Sequence, residues 1–340
     1  MNARLALAAL AVTAVALAPA CAHNSAPGVK QPISPSRAWI SPNHRDHPLA
    51  GRIWSADART FVDEAALGAA LVRAHFVLLG EVHDNPDVHL VQARLLGAIT
   101  AGGKRPALAF EMLDEDQQPA VDASLARHPG DPDALARAVD WEHSGWYAFS
   151  MYRPIFAAGL GAGLPVVAAN LPRPVAKDVA KRGREALTPA LDAQLARYEP
   201  LPPEVAKSLR DEMRSSHCDA PLPEPFLDKL ALAQRARDAQ MANRMIQGAT
   251  ADGAVLVTGG GHARKDRGVP AYLAREAPGR SRVSVGILEV SPGKDAPEAY
   301  AAEFGTETLP FDLVVFVPMA EREDPCAEFR AHGGFGKMKP

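Results

Sequence analysis

The chain has 340 residues, 47% of them hydrophobic and 23% charged, the balance of a globular protein with one large α/β domain or two small ones. Its 37 Lys and Arg against 40 Asp and Glu leave a formal net charge of −3, which excludes a global basic field of the kind that recruits nucleic acid. The basic residues are scattered, and a local group such as Lys181-Arg182-Gly183-Arg184 reads as a solvated helix face.

The N-terminal segment predicts export. Arg4 supplies a short positive region, Leu5 to Leu17 is an apolar run too short to span a bilayer comfortably, and Ala18-Pro19-Ala20 is a small-residue cleavage site. Residues 1–20 are therefore expected to be a signal peptide. Cys21 follows the cleavage site, where a bacterial lipoprotein carries its lipid acceptor. The residue three before it is Ala18 where leucine is usual, so ordinary secretory cleavage is the alternative. With Cys21 lipidated, the chain meets the membrane through that anchor. Ala22 is not an inner-membrane retention Asp, which points to an outer-membrane lipoprotein facing the periplasm or the exterior. Residues 21–50 are rich in Pro, Ser, Asn and His without periodicity and predict a flexible tether. An exported chain meets an oxidising compartment, where Cys218 and Cys326 either pair or stay apart; spacing alone does not decide.

From about Trp54 the pattern is that of a fold, expected over residues 51–320, with a loosely packed tail at 321–340. Continuous apolar runs predict strands at 76–79, 107–110, 165–169, 254–258, 283–290 and 313–317, as expected of strands covered on both faces. Helical patterns lie between them at 87–100, 133–139, 176–187 and 226–245. This alternation predicts an α/β fold with a largely parallel central sheet flanked by helices. The Pro-punctuated stretch near 185–225 reads as a helical insertion over the sheet edge.

The chemistry-bearing residues follow the strands. The run from Phe76 stops at Gly80-Glu81-Val82-His83-Asp84, and the run from Ala254 stops at Gly259-Gly260-Gly261-His262. This doubled Gly-x-x-His is the chain's one internal repeat. Phe110-Glu111-Met112 ends a third strand with a carboxylate. Strand ends of a parallel sheet line one crevice, so Glu81, His83, Glu111 and His262 are expected to converge there. Two imidazoles and two carboxylates could hold a divalent metal ion or activate water without one. Asn170 and Arg173 end the next strand and could serve an anionic ligand; Arg237 and Asp238 lie on a helical segment that could face the crevice. Trp146, Tyr147 and Tyr152 gather aromatic surface in a chain only 6% aromatic, enough to wall a flat ligand or to fill the core beneath a helix.

Gly80-Glu81-Val82-His83-Asp84, Phe110-Glu111-Met112, Tyr152-Arg153-Pro154-Ile155, Ala168-Ala169-Asn170, Arg237-Asp238-Ala239-Gln240-Met241-Ala242 and Gly259-Gly260-Gly261-His262-Ala263 together resemble the ChaN-type haem-binding lipoproteins of the Tiki/TraB/erythromycin-esterase-like superfamily. The resemblance runs over about residues 54–320. It implies a parallel-rich α/β fold and a lipid-anchored cell-envelope protein that binds haem, tied to iron uptake and its envelope components, with a tyrosine among the axial ligands. On this resemblance His83, His89, Tyr147 and Tyr152 are the ligand candidates, with Asn170, Arg173, Arg237 and His262 as further cofactor contacts. Other superfamily members are metal-dependent proteases, or esterases, that use the same Glu and His set. That leaves a metal-dependent hydrolase built on Glu81, His83, Glu111 and His262 as the alternative, and a homodimer open.

Overall fold

The structure, a computed structural model, describes residues 39–324 together with 326 and 327. The expected signal peptide, Cys21 and most of the expected tether lie outside the described residues. Among the described residues, eight strands form one sheet: β1 (Ile53–Ser55), β2 (Thr60–Val62), β3 (Phe76–Glu81), β4 (Ala107–Asp114), β5 (Val166–Asn170), β6 (Ala254–Gly259), β7 (Arg282–Glu289) and β8 (Leu313–Val317). Their order is β2-β1-β8-β7-β3-β6-β4-β5, with the six from β8 to β5 parallel and the β1–β2 hairpin antiparallel at one edge. The helices, in chain order, are α1 (Glu64–Arg73), α2 (Pro86–Ala101), α3 (Gln118–Arg127), α4 (Pro132–Ala138), α5 (Phe149–Gly161), α6 (Arg173–Arg182), α7 (Pro189–Ala196), α8 (Pro203–Ser215), α9 (Glu224–Gly248), α10 (Gly260–Ala263) and α11 (Val269–Glu276).

Strand alternation explains the unbroken apolar runs. On β3, Val77 and Leu79 join one core with α2 and α5, while Phe76 and Leu78 join the opposite core with α9 and α11. A strand sandwiched this way has no solvent face, so no polar residue interrupts it. Asn85 caps α2 by accepting from the Asp87 amide, and Pro86 supplies the preset φ of the first turn. The insertion is helical: α7 and α8 precede α9, and Leu209, Met213, Leu227 and Ala231 give it a small core of its own.

Three boundaries differ from the sequence reading. Packing begins by residue 39 rather than 51: the Ser41 amide donates to Asp87 Oδ2 at 2.7 Å, and Leu49 is buried. The N-terminal acid of α2 satisfies a backbone that composition alone marks as tether. The start of the tail is tied down: Arg322 donates to Asp84 at 2.6 and 2.8 Å and to Glu289 at 2.6 and 2.7 Å. Cys326 is disulfide-bonded to Cys218, with Cα atoms 5.4 Å apart. Finally, α6 stops at Arg182, because Gly183 takes a positive φ of 74° as its C-terminal residue.

Candidate functional site

β3 and β6 are neighbours in parallel register, Gly80 opposite Thr258 and Glu81 opposite Gly259. The two Gly-x-x-His segments therefore leave the sheet side by side. The glycines serve each other's loops. A Cβ on Gly80 would stand 2.8 Å from Ala263 Cβ and 3.2 Å from Gly260 Cα, so only glycine lets the His262 turn lie on β3. A Cβ on Gly259 would stand 2.8 Å from His83 Nε2, so only glycine leaves room for the His83 ring.

Glu81 is buried and fully engaged. Its Oε1 faces His83 Nδ1 at 2.7 Å and accepts from the Tyr152 hydroxyl at 3.1 Å, and its Oε2 accepts from Gln92 at 2.7 Å. Glu111 lies within β4, which runs on to Asp114 rather than ending at Glu111; the pairing with β5 shifts register between Phe110 and Asp114. Such an irregularity re-aims a side chain, here into the crevice. Glu111 Oε1 accepts from Arg237 at 2.5 Å and lies 3.6 Å from His262 Nε2; its Oε2 accepts from Thr258 at 2.7 Å and the Gly259 amide at 2.6 Å. On its other nitrogen, His262 Nδ1 meets Asp238 Oδ1 at 2.7 Å.

The protein thus holds two carboxylate–imidazole pairs, Glu81–His83 and Asp238–His262, on either side of Glu111. A carboxylate on Nδ1 fixes the tautomer and ring orientation and leaves Nε2 for chemistry. Burial disfavours charge on His83, but the hydrogen bond with Glu81 and the negative charges of Glu111 and Glu81 outweigh it and raise its pKa to about 9. Burial alone would push the Glu111 carboxyl up, yet the His262 and Arg237 charges hold it well below the usual carboxylate range. Burial wins at Asp238, whose pKa is raised despite His262. The His83 value lies above the ~6.5 of an unfolded histidine, so its pairing stabilises the fold below that pH and is lost as pH rises through 9. The stability difference between wild type and His83→Gln, from urea curves, should shrink across that window; a difference that grows would contradict the pairing.

The expected residues separate into three groups. Glu81, His83, Glu111 and His262 form one cluster, joined through Arg237 to Asn170, whose Oδ1 accepts from Arg237 Nε at 3.0 Å. Their donor set does not fit a divalent cation. The carboxylate lone pairs face hydrogen-bond donors and a guanidinium, and no group of three or more acidic, His or Cys residues among those described is arranged to hold a metal. His89 and Tyr152 are core residues rather than accessible haem ligands. His89 is fully buried with its ring nitrogens on Gln92 Oε1 at 3.2 Å and the His83 carbonyl at 3.0 Å. Tyr152 is fully buried, and burial together with Glu81 drives its pKa far up, against the tyrosinate that would bind iron. Tyr147 and Arg173 lie outside, in reach of a ligand. Asp238, expected with Arg237 to face the crevice, does so on His262. Gln92 and Thr258 were not among the expected set; Gln92 had a weak signal, an amide three residues after His89 on a buried helix.

An aromatic corner stands at the mouth. The His83 and Trp146 ring centroids are 5.0 Å apart, and Tyr147 beside them is 48% exposed. Trp146 divides two clefts. One, of about 480 Å³, runs along Trp141, Tyr147 and Phe149; the other, of about 360 Å³, lies between α6, α8 and α9. Flat apolar walls with an exposed phenol on one side and cations on the other fit a porphyrin's requirements of stacking surface, axial oxygen and propionate partners.

No curated protein matches the chain. Among solved structures it is similar to ChaN of Campylobacter jejuni with cofacial haem, at 20% identity over 77% of this chain and 95% of that one, with a TM-score of 0.62, a likeness of fold. It is also similar to an erythromycin esterase, EreC, in its open conformation, at 14% identity over 77% and 94% of the two chains with a TM-score of 0.45. A further similarity is to the type III effector HopBA1, at 11% identity over 83% and 99% with a TM-score of 0.39. The family described as haem-binding uptake, Tiki superfamily, ChaN, matches residues 67–273, a stretch that holds both Gly-x-x-His segments and Glu111. The chain belongs to this family of haem-binding uptake proteins.

Proposed function

We propose that this protein is a lipid-anchored protein of the cell envelope that captures haem for iron uptake and passes it to other uptake components. The observation that carries the reading is the corner made by half-buried Trp146, which lines both clefts, and exposed Tyr147 beside it. Tyr147 is one of three large hydrophobic side chains exposed among the described residues, with Ile40 and Phe226, and it alone lies in an aromatic slot. An exposed aromatic set in a cleft, rather than standing alone on the surface, offers a ligand both stacking area and a polar handle. When bound, haem would supply an iron centre that takes a protein ligand. Tyr147 would hold the iron through its phenol oxygen and Trp146 would wall the macrocycle.

A second reading, hydrolysis without a metal, is favoured by the two carboxylate–imidazole pairs. At neutral pH His83 carries a proton it can give to a leaving group, while Asp238 orients His262. Haemin titration of the mature protein tests both readings. Wild type should show a saturable Soret shift. Tyr147→Phe should alter the Soret and visible bands without moving the unfolding midpoint. Tyr152→Phe should leave the bands alone and cost about 1 kcal/mol of stability. Glu81→Gln should bind haem as wild type does and abolish any ester or peptide hydrolysis. If the bands follow Tyr152 or Glu81 and ignore Tyr147, the corner is the wrong seat.

A further inference from the structure

The cleft between α6, α8 and α9 has a composition the two carboxylate–imidazole pairs do not explain. Its walls are apolar, with Trp146, Leu171, Met213 and Leu230 among them, and its rim carries Arg173 and Lys177. Both side chains are exposed; the Asp114 carboxylate accepts from the Arg173 amide at 2.9 Å and feels its charge, while the guanidinium and the Lys177 ammonium point to the rim without a side-chain ion pair to a described residue. Arg237, by contrast, is spent on Glu111 and Asn170. Arg173 and Lys177 are four residues apart on α6, so they present two positive charges side by side on one helix face, a small repulsion that an anion between them would relieve. The Arg173 guanidinium also marks where that anion lies relative to the corner: a Cβ on Gly145 would stand 2.8 Å from Arg173 Nη1, two residues before Tyr147.

We infer that Arg173 and Lys177 would hold the two propionates of the porphyrin, one each. This assignment rests on the haem reading. It goes beyond it in naming a dicarboxylate as the recognised chemistry and α6 as the recognising element. Two separated carboxylates on a flat apolar body match two cations one helical turn apart beside an apolar cleft; a monoanion or a neutral disc does not. Charge-assisted hydrogen bonds to carboxylates are the stronger kind, and both would form at a rim partly shielded by apolar walls.

The experiment compares haemin with haemin dimethyl ester on the full mature chain, followed at the Soret band. Wild type should bind haemin at least about tenfold more tightly than the ester, the difference two charge-assisted contacts supply. The double variant R173A/K177A should lose that preference by binding haemin as weakly as the ester, with its ester affinity and melting temperature unchanged because both side chains are exposed. The charge-preserving variant R173K/K177R should restore the preference. Equal affinity of wild type for haemin and its ester, or wild-type haemin affinity in R173A/K177A, would overturn the assignment while leaving haem binding standing. Absence of any saturable Soret change with wild type would overturn the haem reading, and the assignment with it.

Discussion

Glu111→Gln should destabilise the fold by about 3–5 kcal/mol, measured by chemical denaturation at neutral pH. The carboxylate is 1% exposed and accepts from Arg237, Thr258 and the Gly259 amide. An amide of the same shape can accept from two of these donors, but its NH2 then faces the Arg237 guanidinium. The half-buried Arg237 cation then loses its counter-charge, and that loss is the main cost. The double variant Glu111→Met with Arg237→Met removes both charges and should recover a large part of the loss, since the pair's attraction roughly offsets its desolvation. A Glu111→Gln protein within 1 kcal/mol of wild type would mean that Arg237 finds another partner and that Glu111 does not organise the centre.

The second large effect is covalent. The Cys218–Cys326 bridge closes a loop of 108 residues, joining the end of α8 to the segment after Arg322. In the chain-entropy description a cross-link over about 100 residues stabilises by ~4.7 kcal/mol, because it removes conformations from the unfolded chain. Reduction with dithiothreitol, or Cys218→Ser, should therefore lower the unfolding free energy by up to about 4–5 kcal/mol. Identical denaturation curves in oxidising and reducing buffer, together with both thiols reacting with iodoacetamide in the native protein, would contradict the bridge.

Six strands were legible because a strand covered on both faces must be apolar throughout, and a glycine marks where each of the two central ones ends. The β1–β2 hairpin was not. Its strands are three residues each, and what stabilises them, the edge-on contact of Trp54 with Phe61 at 5.0 Å, is a cross-strand pairing no local pattern announces. The segment at 39–50 was misread for a related reason: its Pro, Ser and Asn content matches a tether, and the groups that satisfy it lie on α2. At the centre, the strand-end residues Glu81, His83 and His262 could be placed by topology alone. The accessibility of His89 and Tyr152 could not, because it depends on how α2 and α5 close over β3, and the same aromatic and imidazole chemistry serves a core or a ligand equally well.

The reciprocal glycines make the two Gly-x-x-His segments a single inherited unit. A side chain at Gly259 would drive His83 off Glu81, and one at Gly80 would lift the turn that carries His262. Damage to either segment is thus expressed in the imidazole of the other. A descendant of this protein that gives up one histidine's chemistry must still keep that segment's glycine to retain the other. Transplanting the centre into another sheet would require two adjacent parallel strands cut to the same length, because neither segment carries within itself the space its own histidine occupies.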